Sequence, residues 1–315
     1  MSIFLHYDVK GIQSFLFKIP KLKYIVGGSA LIDRFDKETV KGFDGPDTKL
    51  IFSGGGKGVF LCGNDADAHY LKEKLIKEAY DVGLDIQFGQ NEDFRQAARN
   101  ADELYPFLPE IHEGEPCPAS GFYPVKEGEE CHKVVKKRRY NKGEPIFRYF
   151  EKFFFDPDNP QKLVVPGRLS EEIVFFHNVN SDDPDEKESG EAGAEALGKR
   201  NRWAVIYMDG NDIGSQFREK LEKDLSQEEM QTWIKKMSEA LTDITKSAAS
   251  KAIQKVISKW LKTEAGEKAV KEKKELTLPI RPLIMGGDDL IVLCHCSYAF
   301  TFVKELIDQF NDKSK

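Results

Sequence analysis

The chain has 315 residues, of which 40% are hydrophobic and 32% are charged, and its formal net charge is −6. This balance excludes a disordered chain and argues against a broad nucleic-acid surface, because such surfaces are usually basic. The length suits two domains, five scattered cysteines argue against a disulfide framework, and no run approaches the ~18 apolar residues of a membrane span. We therefore expect a cytoplasmic protein without a membrane anchor.

Residues 1–90 predict a ferredoxin-like palm domain. Period-two alternation and glycine-rich turns predict strands at residues 2–9, 49–52, 58–62 and 84–88. Helical spacing predicts helices at residues 28–43, opening at Ser29, and at residues 66–80. The resulting order is β-α-β-β-α-β.

Residues 91–200 predict an irregular connecting region. A Pro- and Gly-rich stretch occupies residues 105–128, and a short strand is expected near residues 173–176. Residues 180–199 are acidic and poor in apolar anchors, so they cannot bury enough area to offset their ordering entropy. This segment is predicted to be a mobile loop.

Residues 201–315 repeat the pattern of the first domain. A strand at 203–208 precedes a long helix that Ser226 and Glu229 introduce as a capping box. A strand pair at 282–285 and 290–294 and a helix at 297–310 follow, and the closing strand is missing. The predicted fold class is therefore α/β (α+β), with two ferredoxin-like palm domains that face each other across the connecting region.

Two adjacent carboxylates mark the second strand pair. Asp288 and Asp289 follow Gly286 and Gly287 in a tight hairpin between apolar strands (PLIMGGDDLIVLC). Like charges placed there are costly, so a divalent cation is their natural counterion, and the glycines allow a bulky ligand to approach the backbone. The alternative is an ordinary aspartate-rich turn.

Asp209 follows the strand at 203–208. If that strand lies beside the hairpin, as in the β-α-β-β-α-β fold, Asp209 and Asp288 come face to face. Asp209, Asp288 and Asp289 would then hold two Mg²⁺ or Mn²⁺ ions and act as the catalytic residues, which is the arrangement for in-line attack at phosphorus. Free amides in the small-residue loop that follows Asp209 can hold phosphates. This loop consists of Gly210, Asn211, Asp212, Ile213 and Gly214.

Four motifs carry a resemblance to a known family. Segments 279–290 (PIRPLIMGGDDL) and 208–214 (MDGNDIG) resemble the second palm of the large polymerase-like subunit of type III CRISPR effector complexes. Segments 11–17 (GIQSFLF) and 53–57 (SGGGK) resemble the first palm of that family. None of the six histidines precedes an Asp, so the family's His-Asp nuclease domain is not expected. The chain therefore resembles either the effector subunit itself or a compact relative that lacks the nuclease domain.

The resemblance implies an enzyme of antiviral defence that joins ATP molecules into cyclic oligoadenylates. A ribose hydroxyl of one ATP would attack the α-phosphorus of another, and the partners would be effector subunits, guide RNA and a second copy of the chain. Gly56 and Lys57 stand where the second palm has Asp288 and Asp289, so the first palm would bind the other nucleotide. The implied contacts are Gln13, Ser14, Ser53 and Lys57. Two alternatives stay open: a GTP-using cyclic dinucleotide synthase and a non-catalytic nucleotide-binding scaffold.

The family's zinc ribbon is represented here by two cysteines alone. Zn²⁺ needs four ligands, so Cys117 and Cys131 would require help from His132 or His112. The alternative is two ordinary thiols in a loop.

Overall fold

The computed structural model describes residues 2–19, 21–99, 103–107, 115–118, 120–121, 125, 132–138, 173–175, 202–210, 215, 219–220, 226–272, 276–287 and 289–313. The chain divides into two compact units, Met1–Asn141 with Asn211–Glu239 and Lys142–Gly210 with Ala240–Lys315. The loop predicted at 180–199 lies outside the described residues.

The first unit contains a five-stranded antiparallel sheet. Its strands are β1 (Ile3–Lys10), β2 (Thr48–Gly54), β3 (Lys57–Cys62), β4 (Asp85–Asn91) and β5 (Glu103–Tyr105). The order is β2-β3-β1-β4-β5, and its first four strands have the ferredoxin-like arrangement that the sequence predicts. The last strand was not predicted: β5 extends the sheet beyond residue 90 by pairing Tyr105 with Ile86.

The helices of the first unit correct one prediction. They are α1 (Ile12–Phe17), α2 (Leu22–Arg34), a π-helix (Phe35–Thr39), a 3-10 turn (Lys41–Phe43), α3 (Asp65–Val82), α4 (Phe94–Arg99) and α5 (Lys133–Lys137). The prediction that a helix opens at Ser29 is wrong, because Ser29 lies inside α2. A Cβ atom on Gly28 would lie 3.1 Å from Leu16 Cδ2 and 3.3 Å from Arg138 Nε, so this glycine permits close helix packing.

The second unit contains the predicted strand, helix, strand pair and helix. Its elements are β6 (Ile173–Phe175), β7 (Trp203–Met208), the part of α6 (Gln227–Trp260) from Ala240 onward, α7 (Glu264–Glu272), β8 (Leu276–Leu278), β9 (Ile280–Gly286), β10 (Asp289–His295) and α8 (Cys296–Lys313). The antiparallel sheet has the order β7-β10-β9, and β6 pairs with β8 in parallel. Within the described ranges no fourth strand pairs with β7.

Pro282 lies in the edge strand β9, where its missing N–H costs least. The register shifts at this point, because Ile291 faces Ile284 while Val292 faces Pro282, which leaves Leu283 as the extra residue of a bulge. The bulge occurs between the hairpin end of the sheet and its far end, so the pairing of Asp289 with Gly286 at the hairpin is regular.

The long helix α6 contributes side chains to a separate core in each unit. Met230 and Ile234 pack in the first unit with Phe4, Val59 and Phe94. The core of the second unit contains α6 residues Ala248, Ala249, Ala252, Ile253, Val256, Ile257 and Trp260 together with strand residues such as Leu290 and Val292. The helices that the structure describes all lack an apolar stretch sufficient to cross a bilayer.

The predicted capping box at the start of α6 is confirmed. The Glu229 N–H donates to Ser226 Oγ at 3.3 Å, and the Ser226 N–H donates to Glu229 Oε2 at 2.9 Å. The hydrogen bonds that the Ser226 N–H and the Ser226 hydroxyl donate to Glu229 Oε2 lower the pKa of Glu229. Ser226 and Glu229 therefore satisfy two backbone donors that the first turn would otherwise leave open.

Candidate functional site

The sheet of the second unit brings two predicted acidic residues to one end. Leu290 of β10 faces Met208 of β7, and Asp289 precedes Leu290 while Asp209 follows Met208. Extended by one residue, this antiparallel register places Asp209 opposite Asp289, where facing Cβ atoms are about 5 Å apart. Asp209 is exposed and Asp289 is half-buried, so both carboxylates can meet a ligand from solvent.

The face that carries Asp289 is the one turned away from the core. Leu290 and Val292 are core residues, and successive side chains of a strand point to opposite faces. On the neighbouring strand β7, Val205 and Tyr207 are 66% and 50% exposed. This face therefore combines carboxylates with exposed apolar and aromatic surface.

Tyr207 adds a contact that the sequence analysis missed. Its hydroxyl donates a hydrogen bond to Asp289 Oδ1 at 3.2 Å. The signal was available in the sequence, because Tyr207 stands two residues before Asp209 on a strand and such positions share a face. Tyr207 can therefore orient the Asp289 carboxylate.

The remaining predicted residues of this site are only partly described. Gly210, Gly286 and Gly287 are described, and Gly287 has a φ of 60° in the hairpin turn. Asp288 and the loop residues Asn211, Asp212, Ile213 and Gly214 lie outside the described residues. Within the described part of the chain no three His, Cys, Asp or Glu side chains form a metal-binding group.

The hairpin of the first unit has a different charge arrangement. Asp8 of β1 faces Lys57 of β3 in register, and its Oδ2 lies 3.8 Å from Lys57 Nζ and 2.6 Å from Lys10 Nζ. Asp8 is buried, so these two ammonium groups supply the positive charge that a buried carboxylate needs. Lys57 itself stays largely exposed, and its charge can also meet an anionic ligand.

A second buried carboxylate supports the glycine turn of that hairpin. Asp36, in the π-helix, accepts a hydrogen bond from the Gly56 N–H at 2.7 Å and one from the Tyr7 hydroxyl at 3.1 Å. Ser53 Oγ donates to the Asp36 carbonyl at 2.9 Å and lies 3.0 Å from the Tyr7 hydroxyl, whose single proton is shared between Ser53 Oγ and the Asp36 carboxylate. Burial raises the pKa of Asp36 to about 6, although the hydrogen bonds from Gly56 and Tyr7 act to lower it.

Sequence analysis did not single out Asp36, although its position carried a signal. Ile32, Asp36 and Val40 recur at intervals of four residues, and both apolar members are buried. A carboxylate inside an apolar helical stripe must find a partner in the core.

The predicted nucleotide contacts of the first unit occupy different environments. Gln13 and Ser14 are exposed in the first turn of α1, and Lys57 begins β3. The one proton of the Ser53 hydroxyl is committed to the Asp36 carbonyl, so Ser53 can offer a ligand only an acceptor. The role of these four residues in binding a nucleotide stays a prediction.

The candidate zinc ligands are partly described. Cys117 is buried in an apolar cluster with Ile19, Tyr24 and Val135. His132 is also buried, and its Nδ1 accepts the Val134 N–H at 3.3 Å at the start of α5. Cys131 and His112 lie outside the described residues, so zinc binding also stays a prediction.

Comparison with known proteins points to one family. Residues 202–315 match the family described as "Cas10/Cmr2, second palm domain". No curated protein matches the chain.

Several solved structures share the fold. A Csm1-Csm4 cassette in complex with cA4 is 14% identical with a TM-score of 0.54, and the match covers 99% of this chain and 48% of that one. A Csm1-Csm4 cassette in complex with one ATP is 15% identical with a TM-score of 0.51, covering 99% and 48%. Csm1 in T.onnurineus is 17% identical with a TM-score of 0.51, covering 99% and 46%. The chain thus spans about half the length of the solved chains that it matches.

Proposed function

We propose, starting from residues 202–315 as a second palm domain of the Cas10/Cmr2 family, that this Cas10-like chain joins ATP molecules into cyclic oligoadenylates. The observation that carries the proposal is the register between β7 and β10, which brings Asp209 and Asp289 together at the hairpin end of the sheet. Two similar structures are complexes with cA4 and with one ATP, which supports an adenine nucleotide as substrate.

The residues of the acidic hairpin suit a divalent cation. Carboxylate oxygens are the ligands that Mg²⁺ and Mn²⁺ prefer, and Asp209 and Asp289 lie at the same sheet end with at least partial access to solvent. Asp288, which stands next to Asp289 in the chain, would complete the ligand set. A bound cation would lower the pKa of the attacking ribose hydroxyl and stabilise charge on the pyrophosphate leaving group.

The chain's own groups would position the nucleotides. The amides of Gly210 and of the four residues that follow it would hold phosphate oxygens after β7 ends. Tyr207 would hold the Asp289 carboxylate in place by its hydrogen bond to Oδ1. In the first unit, Lys57 would attract the triphosphate of the other ATP.

The test is incubation of the purified chain with each of the four ribonucleotides and Mg²⁺ or Mn²⁺, with products identified by mass spectrometry. Cyclic adenylates are expected from the wild type and from Asp308→Ala, which removes an exposed acid on α8. Asp209→Ala and the double variant Asp288→Ala with Asp289→Ala should make none. Product from GTP alone would indicate the cyclic dinucleotide synthase, and ATP binding without product from any nucleotide would indicate the scaffold.

We extend the proposal to the partners of the chain. Two of the similar structures are Csm1-Csm4 cassettes, which supports a CRISPR effector subunit as partner. Co-expression with a Csm4-type subunit, followed by affinity purification, should recover a stable complex. Guide-RNA binding and self-association stay predictions from the resemblance, and RNA content and mass of the purified complex would measure both.

A further inference from the structure

The glycine turn between β2 and β3 is held by one buried residue at both of its ends. Asp36 is 4% exposed. Its carboxylate accepts the Gly56 N–H at 2.7 Å, and its backbone carbonyl accepts the Ser53 hydroxyl at 2.9 Å. A residue from the π-helix therefore sets the distance between the two sides of the turn.

The geometry of Gly56 leaves the turn little freedom. Its carbonyl accepts the Val9 N–H at 2.7 Å, so both of its polar backbone groups are engaged. Its φ is 80°, and a Cβ atom there would lie 2.7 Å from Ile12 Cδ1. At Gly55, by contrast, a Cβ atom would meet no atom within 4 Å, so the tip of the turn faces open space.

The location of Asp36 is unusual for a residue that only fills space. Burying a carboxylate opposes folding, and an apolar residue in the stripe of Ile32 and Val40 would avoid that cost. The supporting backbone is a π-helix, a conformation that is rare and frequent at functional sites. Tyr7, which donates to the same carboxylate, precedes Asp8, the ion-pair partner of Lys57.

We propose that Asp36 is a positioning residue that holds the turn of Ser53 to Gly56 in the shape that binds the triphosphate of a nucleotide. This inference rests on the proposed function, since it specifies how the first unit would hold its ATP. Asp36 touches no ligand itself. It acts through the Gly56 amide and through the strand that begins at Lys57, whose exposed ammonium would pair with the phosphates.

The experiment compares three variants with the wild type in EDTA, where binding at the acidic hairpin lacks its cation. Asp36→Asn removes the charge, and Tyr7→Phe removes one of the two donors to the carboxylate. Asp33→Asn is the matched control, because Asp33 lies on α2 and pairs with Lys37 near the surface. The readouts are binding of a non-hydrolysable ATP analogue and amide hydrogen exchange at residues 53–58.

Asp36→Asn should weaken analogue binding on the order of tenfold, as expected for the loss of a charge-assisted hydrogen bond. Its amide exchange should rise at residues 53–58 and stay unchanged in β4. Tyr7→Phe should change both readouts in the same direction and less strongly, and Asp33→Asn should match the wild type. If Asp36→Asn does not fold, Tyr7→Phe decides the question by the same two readouts.

Three outcomes would overturn the inference: analogue binding unchanged in Asp36→Asn, exchange raised equally throughout the sheet, or no binding to the wild type in EDTA. The proposed function is judged separately. If the wild type forms no product but binds the analogue, and Asp36→Asn weakens that binding, catalysis is refuted and the positioning role stands.

Discussion

Asp36 links the stability of the first unit to pH. Its pKa is raised from 3.8 to about 6 in the folded chain, chiefly by burial. The folded state therefore holds this proton more tightly than the unfolded state does. The contribution of this proton to the free energy of unfolding is fully present below a pH of about 4. It is lost as the pH rises through about 6, and the total loss is about 3 kcal/mol.

The measurement is urea unfolding of the wild type and Asp36→Asn at several pH values between 4 and 7. The free energy of unfolding of the wild type should fall relative to that of Asp36→Asn as the pH rises, because the amide does not titrate. Asp33→Asn should keep this fall and shift it to slightly lower pH, because the charge of Asp33 helps to raise the pKa of Asp36. Parallel pH profiles for wild type and Asp36→Asn would show that the Asp36 pKa is ordinary.

Tyr207 offers a test of the acidic hairpin that leaves every carboxylate in place. Tyr207→Phe removes the hydroxyl that donates to Asp289 Oδ1 and keeps the ring. We expect product formation to slow by about threefold to tenfold, the value of one hydrogen bond, and to need more divalent cation for half-maximal rate. Stability should barely change, because the side chain is half exposed. Tyr70→Phe, on α3 and also exposed, should leave both quantities unaltered.

At the scale of elements, helix α6 depends on a cap that can be removed without touching either core. Ser226→Ala deletes the hydroxyl that accepts the Glu229 N–H, which should lower the free energy of unfolding by about 1 kcal/mol. Circular dichroism during urea titration measures this. Glu229→Gln should also destabilise the helix. Glu228→Gln removes an equivalent charge from the first turn and leaves the capping box intact. Equal effects of the two glutamine variants would assign the stabilisation to the helix dipole instead.

The sequence predicted strands better than helix boundaries, for physical reasons. The strand at 203–208 and the hairpin around Gly287 follow from local alternation and turn chemistry, and both are confirmed. Helix α2 begins at Leu22 and continues through Gly28, where Leu16 and Arg138 pack closely, and no local pattern shows this contact. Strand β5 was missed because three residues carry too little periodicity, and it exists through its pairing with β4.

The candidate site also contains residues that the sequence pattern predicts and a residue that it does not. The strand order of a palm predicted that Asp209 and Asp288 come face to face. Asp288 lies outside the described residues, so this stays a prediction, and the register between β7 and β10, extended by one residue, places Asp289 opposite Asp209. Asp36 was missed because its hydrogen bonds cross from the π-helix to a turn 20 residues away. Contacts of that kind arise from tertiary packing. A single sequence can show only that a polar residue such as Asp36 lies within an apolar helical stripe.

At the scale of the whole molecule, helix α6 contributes side chains to a hydrophobic core in each of two compact units. Its residues up to Glu239 belong to the first unit and those from Ala240 to the second. Ile234 packs with Phe4 and Val59, whereas Ile253 packs with residues such as Leu290 and Val292. Each isoleucine is buried, so truncation of either to alanine should cost about 2–5 kcal/mol in its own core.

These two truncations test whether the units unfold separately. Ile253→Ala should raise amide hydrogen exchange in β9 and β10 by more than about tenfold and leave β1 and β3 protected, because a local opening is governed by local stability. Ile234→Ala should produce the reverse pattern, which makes each variant the control for the other. Equal deprotection of all four strands in both variants would mean that α6 couples the units into one cooperative structure. In that case, a change at the glycine turn of the first unit would alter the stability of the acidic hairpin as well.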